Sequence, residues 1–237
     1  MTAIDPTSGD HPPPRAAATV ILLRRDAGGA RVLMGMRGAG AVFMPSKYVF
    51  PGGAVDPGDG DVPLMSGLGD LCRARLAERA TGPSAHALSV AAIRELWEET
   101  GLRLGALGGS PAQGWDGFGP GGVLPSAGAL SFFFRAITPP GRSRRFDARF
   151  FLADAAGVSG DPDDFSLASD ELSHLHWVPL GEARALNLPF ITEVVLAELS
   201  AHLARAGGDG PLAPPPNVPF FDNSGPVPMF RRLGLGG

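Results

Sequence analysis

The stretch between Ser84 and Gly101 constrains this chain most, because it has the pattern of a helix with two unlike faces. At about 100° per residue, Glu95, Glu98 and Glu99 fall within one sector about 100° wide. Val90, Ile93, Leu96 and Trp97 fill the opposite side, which must therefore be buried. Ser84 can cap the first turn and Gly101 can end the last, which bounds the helix at about 85–100. Three carboxylates at i, i+3 and i+4 repel one another. A divalent cation between them relieves that repulsion, and Mg²⁺ prefers such oxygen ligands. A Glu-rich face also occurs as plain solvated surface, with Arg94 pairing to Glu98 one turn on. The helix alone leaves both readings open.

Short apolar runs at 19–23 and 31–36 flank Asp26-Ala27-Gly28-Gly29 and read as a β-hairpin. A third strand at 48–50 stops at Pro51-Gly52-Gly53. Leu68, Leu71, Cys72 and Leu76 have helical spacing within 66–80, and Gly82-Pro83 breaks that helix. Residues 105–128 read as a long glycine-rich loop carrying Trp115 and Phe118. Strands return at 130–137, 146–152 and 174–178. A last helix over 190–204 offers Ile191, Val194, Val195, Leu199 and Leu203 to a core. Residues 1–16 read as a loose arm, and the proline-rich 211–228 as a segment extended over the surface.

Composition narrows the function classes. One cysteine excludes an internal disulfide framework and any zinc site built on several thiolates. A net charge of -4, with a single lysine, disfavours a basic nucleic-acid binder. No apolar run approaches the roughly 20 residues of a membrane span, and the polar N-terminus lacks a leader pattern. The expectation is a cytoplasmic protein with neither a nucleic-acid nor a membrane partner. The 34 glycines and 24 prolines point to loop-rich insertions around a core that the 44% hydrophobic content can fill. No G-x-S-x-G elbow or G-x-x-x-x-G-K-[ST] loop is present, so serine hydrolase and ATPase readings have no support.

Phe50-Pro51-Gly52-Gly53, then Asp56 and Asp59, then Arg94-Glu95-Leu96-Trp97-Glu98-Glu99-Thr100-Gly101-Leu102 resemble the Nudix hydrolase box, G-x5-E-x7-R-E-U-x-E-E-x-G-U with U aliphatic. The second half matches at every specified position. Asp59 stands where the family has Glu, and 34 residues separate it from Arg94 where the pattern has seven. The long insertion, Phe43-Met44-Pro45 before the box and the Arg144 to Phe151 segment after it look like the branch that includes peroxisomal coenzyme A diphosphatases.

The resemblance implies an α/β fold, an α/β/α sandwich around a mixed β-sheet, over residues 17–205. A helical insertion at about 60–86 would stand at the mouth of the site, and a Pro/Gly-rich tail would fill 206–237. It also implies divalent-metal-dependent hydrolysis of a diphosphate linkage in a small-molecule nucleoside diphosphate derivative, with coenzyme A or its thioesters first. ADP-ribose, a dinucleotide or a nucleotide sugar is the alternative substrate, and a non-catalytic nucleotide sensor the alternative function. Mg²⁺ or Mn²⁺ would be held by Glu98 and Glu99, with Glu95 as a further ligand or proton acceptor and Gly53 giving its carbonyl. Asp59, one methylene short, would reach the metal only through water. Arg94 would orient the carboxylates, and Glu171 is the candidate for a base from a later loop. A homodimer is left open.

Arg142, Arg144, Arg145 and Arg149 form the densest basic cluster and, with Arg37, are the candidates for binding substrate phosphates. Surface pairing on a hairpin is the plain alternative for the cluster. His174 and His176 share one strand face but have no third ligand nearby, which favours ordinary histidines over zinc. Cys72 reads as a packing residue. Trp115 and Phe118 either stack on a base or tuck their loop down.

Overall fold

The computed structural model describes residues 13–80, 82–109, 113–115, 117–119, 122–207 and 211–234. Residues 1–12 of the expected arm lie outside them, and Arg15 already opens the first strand. The strands are β1 (Arg15–Asp26), β2 (Gly29–Arg37), β3 (Tyr48–Val49), β4 (Gly52–Ala54), β5 (Gly105–Leu107), β6 (Val123–Pro125), β7 (Ser131–Ile137), β8 (Phe146–Asp154), β9 (Leu172–Pro179), β10 (Val218–Asp222) and β11 (Met229–Leu233). The helices are α1 (Asp70–Ala77), α2 (Ala85–Thr100) and α3 (Phe190–Ala206).

The main sheet has the order β11-β10-β7-β8-β1-β2-β3, with β4 also paired to β1 and β9 to β2. It is mixed: β1 runs parallel to β8 and β10 parallel to β7, while the other pairs are antiparallel. Strand alternation sorts its side chains between two cores. Ala18, Val20 and Leu22 of β1 face α1 and α2, together with Leu33, Phe151 and Ala153. Ile21 and Leu23 face α3, together with Val32, Met34, Phe150 and Leu152. Helices thus cover both faces of the sheet, as in the expected sandwich.

The helix over 85–100 has the expected bounds. Ser84 Oγ accepts the Ala87 N–H at 3.1 Å, and Gly101, with φ +78°, returns its N–H to the Trp97 carbonyl at 2.7 Å. The hairpin and the strands at 130–137, 146–152 and 174–178 also form, with slightly different ends.

Four local expectations change. The long loop contains a small ladder, β5 against β6, and the buried Trp115 and Phe118 tuck it onto α2. Trp97 stacks on Trp115 at 5.7 Å and meets Phe118 edge-on at 5.5 Å, so these aromatics are spent on packing. The C-terminal segment is not a surface wrap, because β10 and β11 extend the sheet and Val218, Phe220 and Leu233 enter the core. The insertion packs under the sheet through Leu68 and through Cys72 and Leu76 of α1, on the face opposite α3. Lastly, a bulge opposite Met34 and Met36 breaks β9 at His174, whose φ of +53° removes it from the alternation expected with His176. Both histidines are exposed.

Candidate functional site

β4 and the exposed side of α2 meet at one end of a cleft of about 950 Å³. Its floor is the α3 face of the sheet, with Ala17, Thr19, Ala148 and Phe150. Two close approaches fix the β4 corner. A Cβ on Gly52 would stand 2.6 Å from the Ala18 carbonyl oxygen, and one on Gly53 would stand 2.5 Å from the Glu95 carboxyl carbon. Only glycine lets β4 lie against β1 on one side and Glu95 on the other.

Arg94 organises the acidic end. Nε and Nη2 donate to the two oxygens of Asp59 at 2.9 and 3.1 Å, and Nη2 also donates to the Ala54 carbonyl at 2.9 Å. Nη1 donates to Glu95 and to Glu98, each at 2.9 Å. These bonds employ all the N–H groups of the guanidinium. Burial works against the Arg94 charge, but Asp59, Glu95 and Glu98 outweigh it and raise its pKa. Asp59 is itself buried, in the short turn Pro57–Gly60, where its carboxylate also accepts the Asp56 N–H at 2.7 Å. The residue read as a water-bridged metal ligand is turned onto Arg94 instead. An acid three residues after Asp56, closing its own turn, was the signal for that role.

The glutamates differ in environment. Glu98 is exposed. Glu99 is 2% exposed and accepts the Gly52 N–H at 2.8 Å. Burial pushes its pKa up to about 8, the Gly52 N–H and Arg37 oppose the rise, and the charges of Glu95 and Glu171 add to it. Burial likewise raises Glu95 to about 7 against the pull of Arg94, with Glu98 and Glu171 adding to the rise. Glu171 lines the same cleft. Its loop is tied to α2 where the Ser169 N–H meets the Glu98 carbonyl at 3.1 Å.

Among the described residues no group of three His, Cys, Asp or Glu side chains converges as a metal set. Glu95 and Glu98 are turned to Arg94, and Glu99 to Gly52. The donors nonetheless fit a hard divalent cation. Glu95, Glu98, Glu99 and Gly53 line one cleft end with oxygen atoms, and the raised pKa values mark negative charge that burial leaves undercompensated.

The basic candidates separate. Arg37, Arg142 and Arg144 line the cleft. Arg37 Nε is buried there with no hydrogen-bond partner among the described residues. Arg145 and Arg149 do not line it. Arg149 points to the α2 face of β8, where it and Arg135 share Asp147 at 3.0 and 2.8 Å. Burial lowers its pKa to about 10, and Asp147 opposes the fall. Arg145 is buried and donates through Nε to the Thr138 carbonyl at 3.1 Å. Along β8 the residues alternate faces, and Arg149 is an odd-numbered neighbour of Phe151, so it cannot share the cleft with Ala148 and Phe150. Cys72 takes the packing role expected of it: its buried sulfur accepts the Phe132 N–H at 3.3 Å, and burial raises its pKa.

The sequence reading missed the far end of the cleft. Phe190 and Ile191 at the start of α3, and Phe221 and Asn223 at the end of β10, line it. Phe43, Met44 and Pro45, which precede the box in the chain, also line it. No helix among the described residues is long and apolar enough to cross a membrane.

No protein-family model matches the chain. A curated Caenorhabditis elegans protein named "Putative nudix hydrolase 7" is 29% identical over 168 residues, which are 62% of this chain and 46% of that protein. The chain therefore spans about half the length of the relative it matches. A crystal structure of a NUDIX hydrolase from Alicyclobacillus acidocaldarius superposes with a TM-score of 0.58 and 28% identity, covering 80% of this chain and 92% of that one. The chain has the Nudix fold and is similar in sequence to these Nudix hydrolases.

Proposed function

We propose that this protein is a divalent-metal-dependent pyrophosphohydrolase that cleaves the diphosphate of a nucleoside diphosphate derivative. The observation that carries the reading is the union of Glu95, Glu98 and Glu99 with Arg94 at one end of a cleft whose other walls are cationic and apolar. Glu98 and Glu99 hold Mg²⁺ or Mn²⁺ with the Gly53 carbonyl, and Glu95 is a further ligand or the proton acceptor. The bound cation supplies neutralisation of phosphate charge and a more acidic water. Arg94, held by Asp59, keeps Glu95 and Glu98 on the cleft side of α2. Glu171 is close enough in charge to affect Glu95 and Glu99 and is the candidate base from the opposite loop. In the reaction water adds to one phosphorus, the bridging P–O bond breaks, and two phosphate monoesters leave.

Coenzyme A or an acyl-coenzyme A is the proposed substrate. Such a molecule carries a diphosphate, a 3'-phosphate and a long weakly polar arm. Arg37, Arg142 and Arg144 suit the phosphates, and Phe43, Leu188, Phe190 and Phe221 suit the arm. ADP-ribose, a dinucleotide or a nucleotide sugar uses the same chemistry with a more polar second half. The sensing reading has less support, because a sensor has no need of the three glutamates and their arginine.

Incubation with Mg²⁺ or Mn²⁺ and a panel of coenzyme A, its 3'-dephosphorylated form, ADP-ribose and a dinucleotide, with products identified by mass, tests the reading. The expected products from coenzyme A are adenosine 3',5'-bisphosphate and 4'-phosphopantetheine. Preference for ADP-ribose moves the assignment to the second substrate class, and binding without cleavage moves it to the sensor.

A further inference from the structure

The chain beyond residue 205 lies outside the stretch that resembles the Nudix domain, yet Phe221 and Asn223 line the cleft. The Phe221 ring lies 6.2 Å from that of Phe190. Asn223 is buried, and its side-chain amide donates to the carbonyl of Ile137, the last residue of β7, at 2.8 Å. Its own carbonyl faces Arg145 Nη2 at 3.5 Å, and Arg145 Nε reaches the carbonyl of Thr138. Thr138 and Phe146 close the base of the connection, with the Thr138 N–H donating to the Phe146 carbonyl at 2.8 Å. Asn223 therefore touches both ends of the 138–145 connection, which carries Arg142 and Arg144 into the cleft.

The same C-terminal segment is gripped by the insertion in the box. The buried Arg75 of α1 donates to the carbonyls of Pro215 and Pro216 at 2.6 and 2.8 Å, ahead of β10. Glu78 accepts the Gly234 N–H at 2.9 Å, just after β11. The insertion thus brackets the strand pair from the face of the sheet opposite the cleft.

We propose that β10 and β11 form a specificity element of the site: Phe221 supplies apolar wall, and Asn223 and Arg145 are positioning residues that set the Arg142 and Arg144 connection against the phosphates of the substrate. The box insertion serves this element as its anchor and meets no substrate. The proposal rests on the hydrolase reading above and adds to it the part played by the C-terminal strands.

The test measures KM and kcat of Asn223→Ala with coenzyme A and ADP-ribose, each protein's melting being recorded alongside. The expected result is KM raised about tenfold with kcat within about twofold. In an Arg142→Ala/Arg144→Ala background the same substitution should add nothing, because its effect runs through those two side chains. Should Asn223→Ala not fold, Phe221→Ala serves, with KM for coenzyme A rising more than that for ADP-ribose. An unchanged KM, an Asn223 effect that persists in the arginine-free background, or a Phe221 effect equal on both substrates overturns the proposal. A wild type that cleaves no diphosphate overturns the hydrolase reading and this proposal together. An active wild type with unaffected variants overturns this proposal alone.

Discussion

Asp59 holds Arg94 through both carboxylate oxygens, at 2.9 and 3.1 Å, across the 34 residues that separate them in the chain. The pair is nearly dry, with side chains 3% and 11% exposed. The insertion therefore leaves the two halves of the box in contact. Its ends are brought together by a charge-assisted fork, the strongest kind of side-chain hydrogen bond available to them.

Asp59→Asn keeps the shape but replaces a carboxylate with an amide that cannot accept both N–H groups. Arg94 retains Glu95 and Glu98, so the expected loss is about 1–3 kcal/mol rather than that of an isolated buried charge. Turnover should fall at least tenfold, since Arg94 is freed to draw the two glutamates off the cleft. Urea unfolding and steady-state kinetics check this, and a variant with wild-type stability and turnover contradicts the clamp.

The raised pKa values of Glu95 and Glu99 set a pH dependence for the metal-free protein. In the unfolded chain both groups ionise near 4.5, whereas in the fold burial holds their protons up to about 7 and about 8. The folded state binds more protons through that window, so this contribution to stability is complete below pH about 4.5, falls as pH rises, and is gone above about 8. Urea midpoints at a series of pH values in chelator should show the decline. Glu99→Gln should reduce its slope, and millimolar Mg²⁺ should stabilise more at pH 8 than at pH 6. A wild-type slope identical to that of Glu99→Gln contradicts the assignment.

The insertion yields a third prediction, reversed from what its place in the sequence suggests. Lying between β4 and α2 in the chain, residues 62–82 of the insertion read as standing at the mouth of the site. The structure instead puts Leu76 of this segment 6% exposed in the core beneath β7. Leu76→Ala should cost about 2–5 kcal/mol by cavity formation, with KM and kcat near wild type at a temperature where the variant stays folded. A change in substrate preference at unchanged stability contradicts this placement.

These cases show what the sequence could and could not disclose. The α2 helix was legible because its cap, stop and two-faced pattern all lie within 85–101. The strand pair β1 and β2 was legible because a turn of Asp and Gly separates two apolar runs. By contrast, β10 and β11 are short and lie among prolines, and they become strands only because β10 pairs with β7, far away in the chain, and β11 with β10. The four arginines at 142–149 look alike in sequence. Burial beside Asp147 and at the base of the connection distinguishes Arg149 and Arg145 from the two that reach the cleft. Three-dimensional neighbours decide such roles, and one-dimensional spacing does not carry them.

The central claim is that the glutamate face of α2 performs metal-dependent diphosphate hydrolysis. The most direct measurement is turnover of the best diphosphate substrate by wild type, Glu98→Gln and Glu99→Gln in Mg²⁺ or Mn²⁺, repeated for wild type in excess chelator. The account predicts a fall of orders of magnitude for each variant and for the chelated enzyme, with melting curves showing folded protein throughout. Near-normal turnover in either variant, or full activity in chelator, contradicts it.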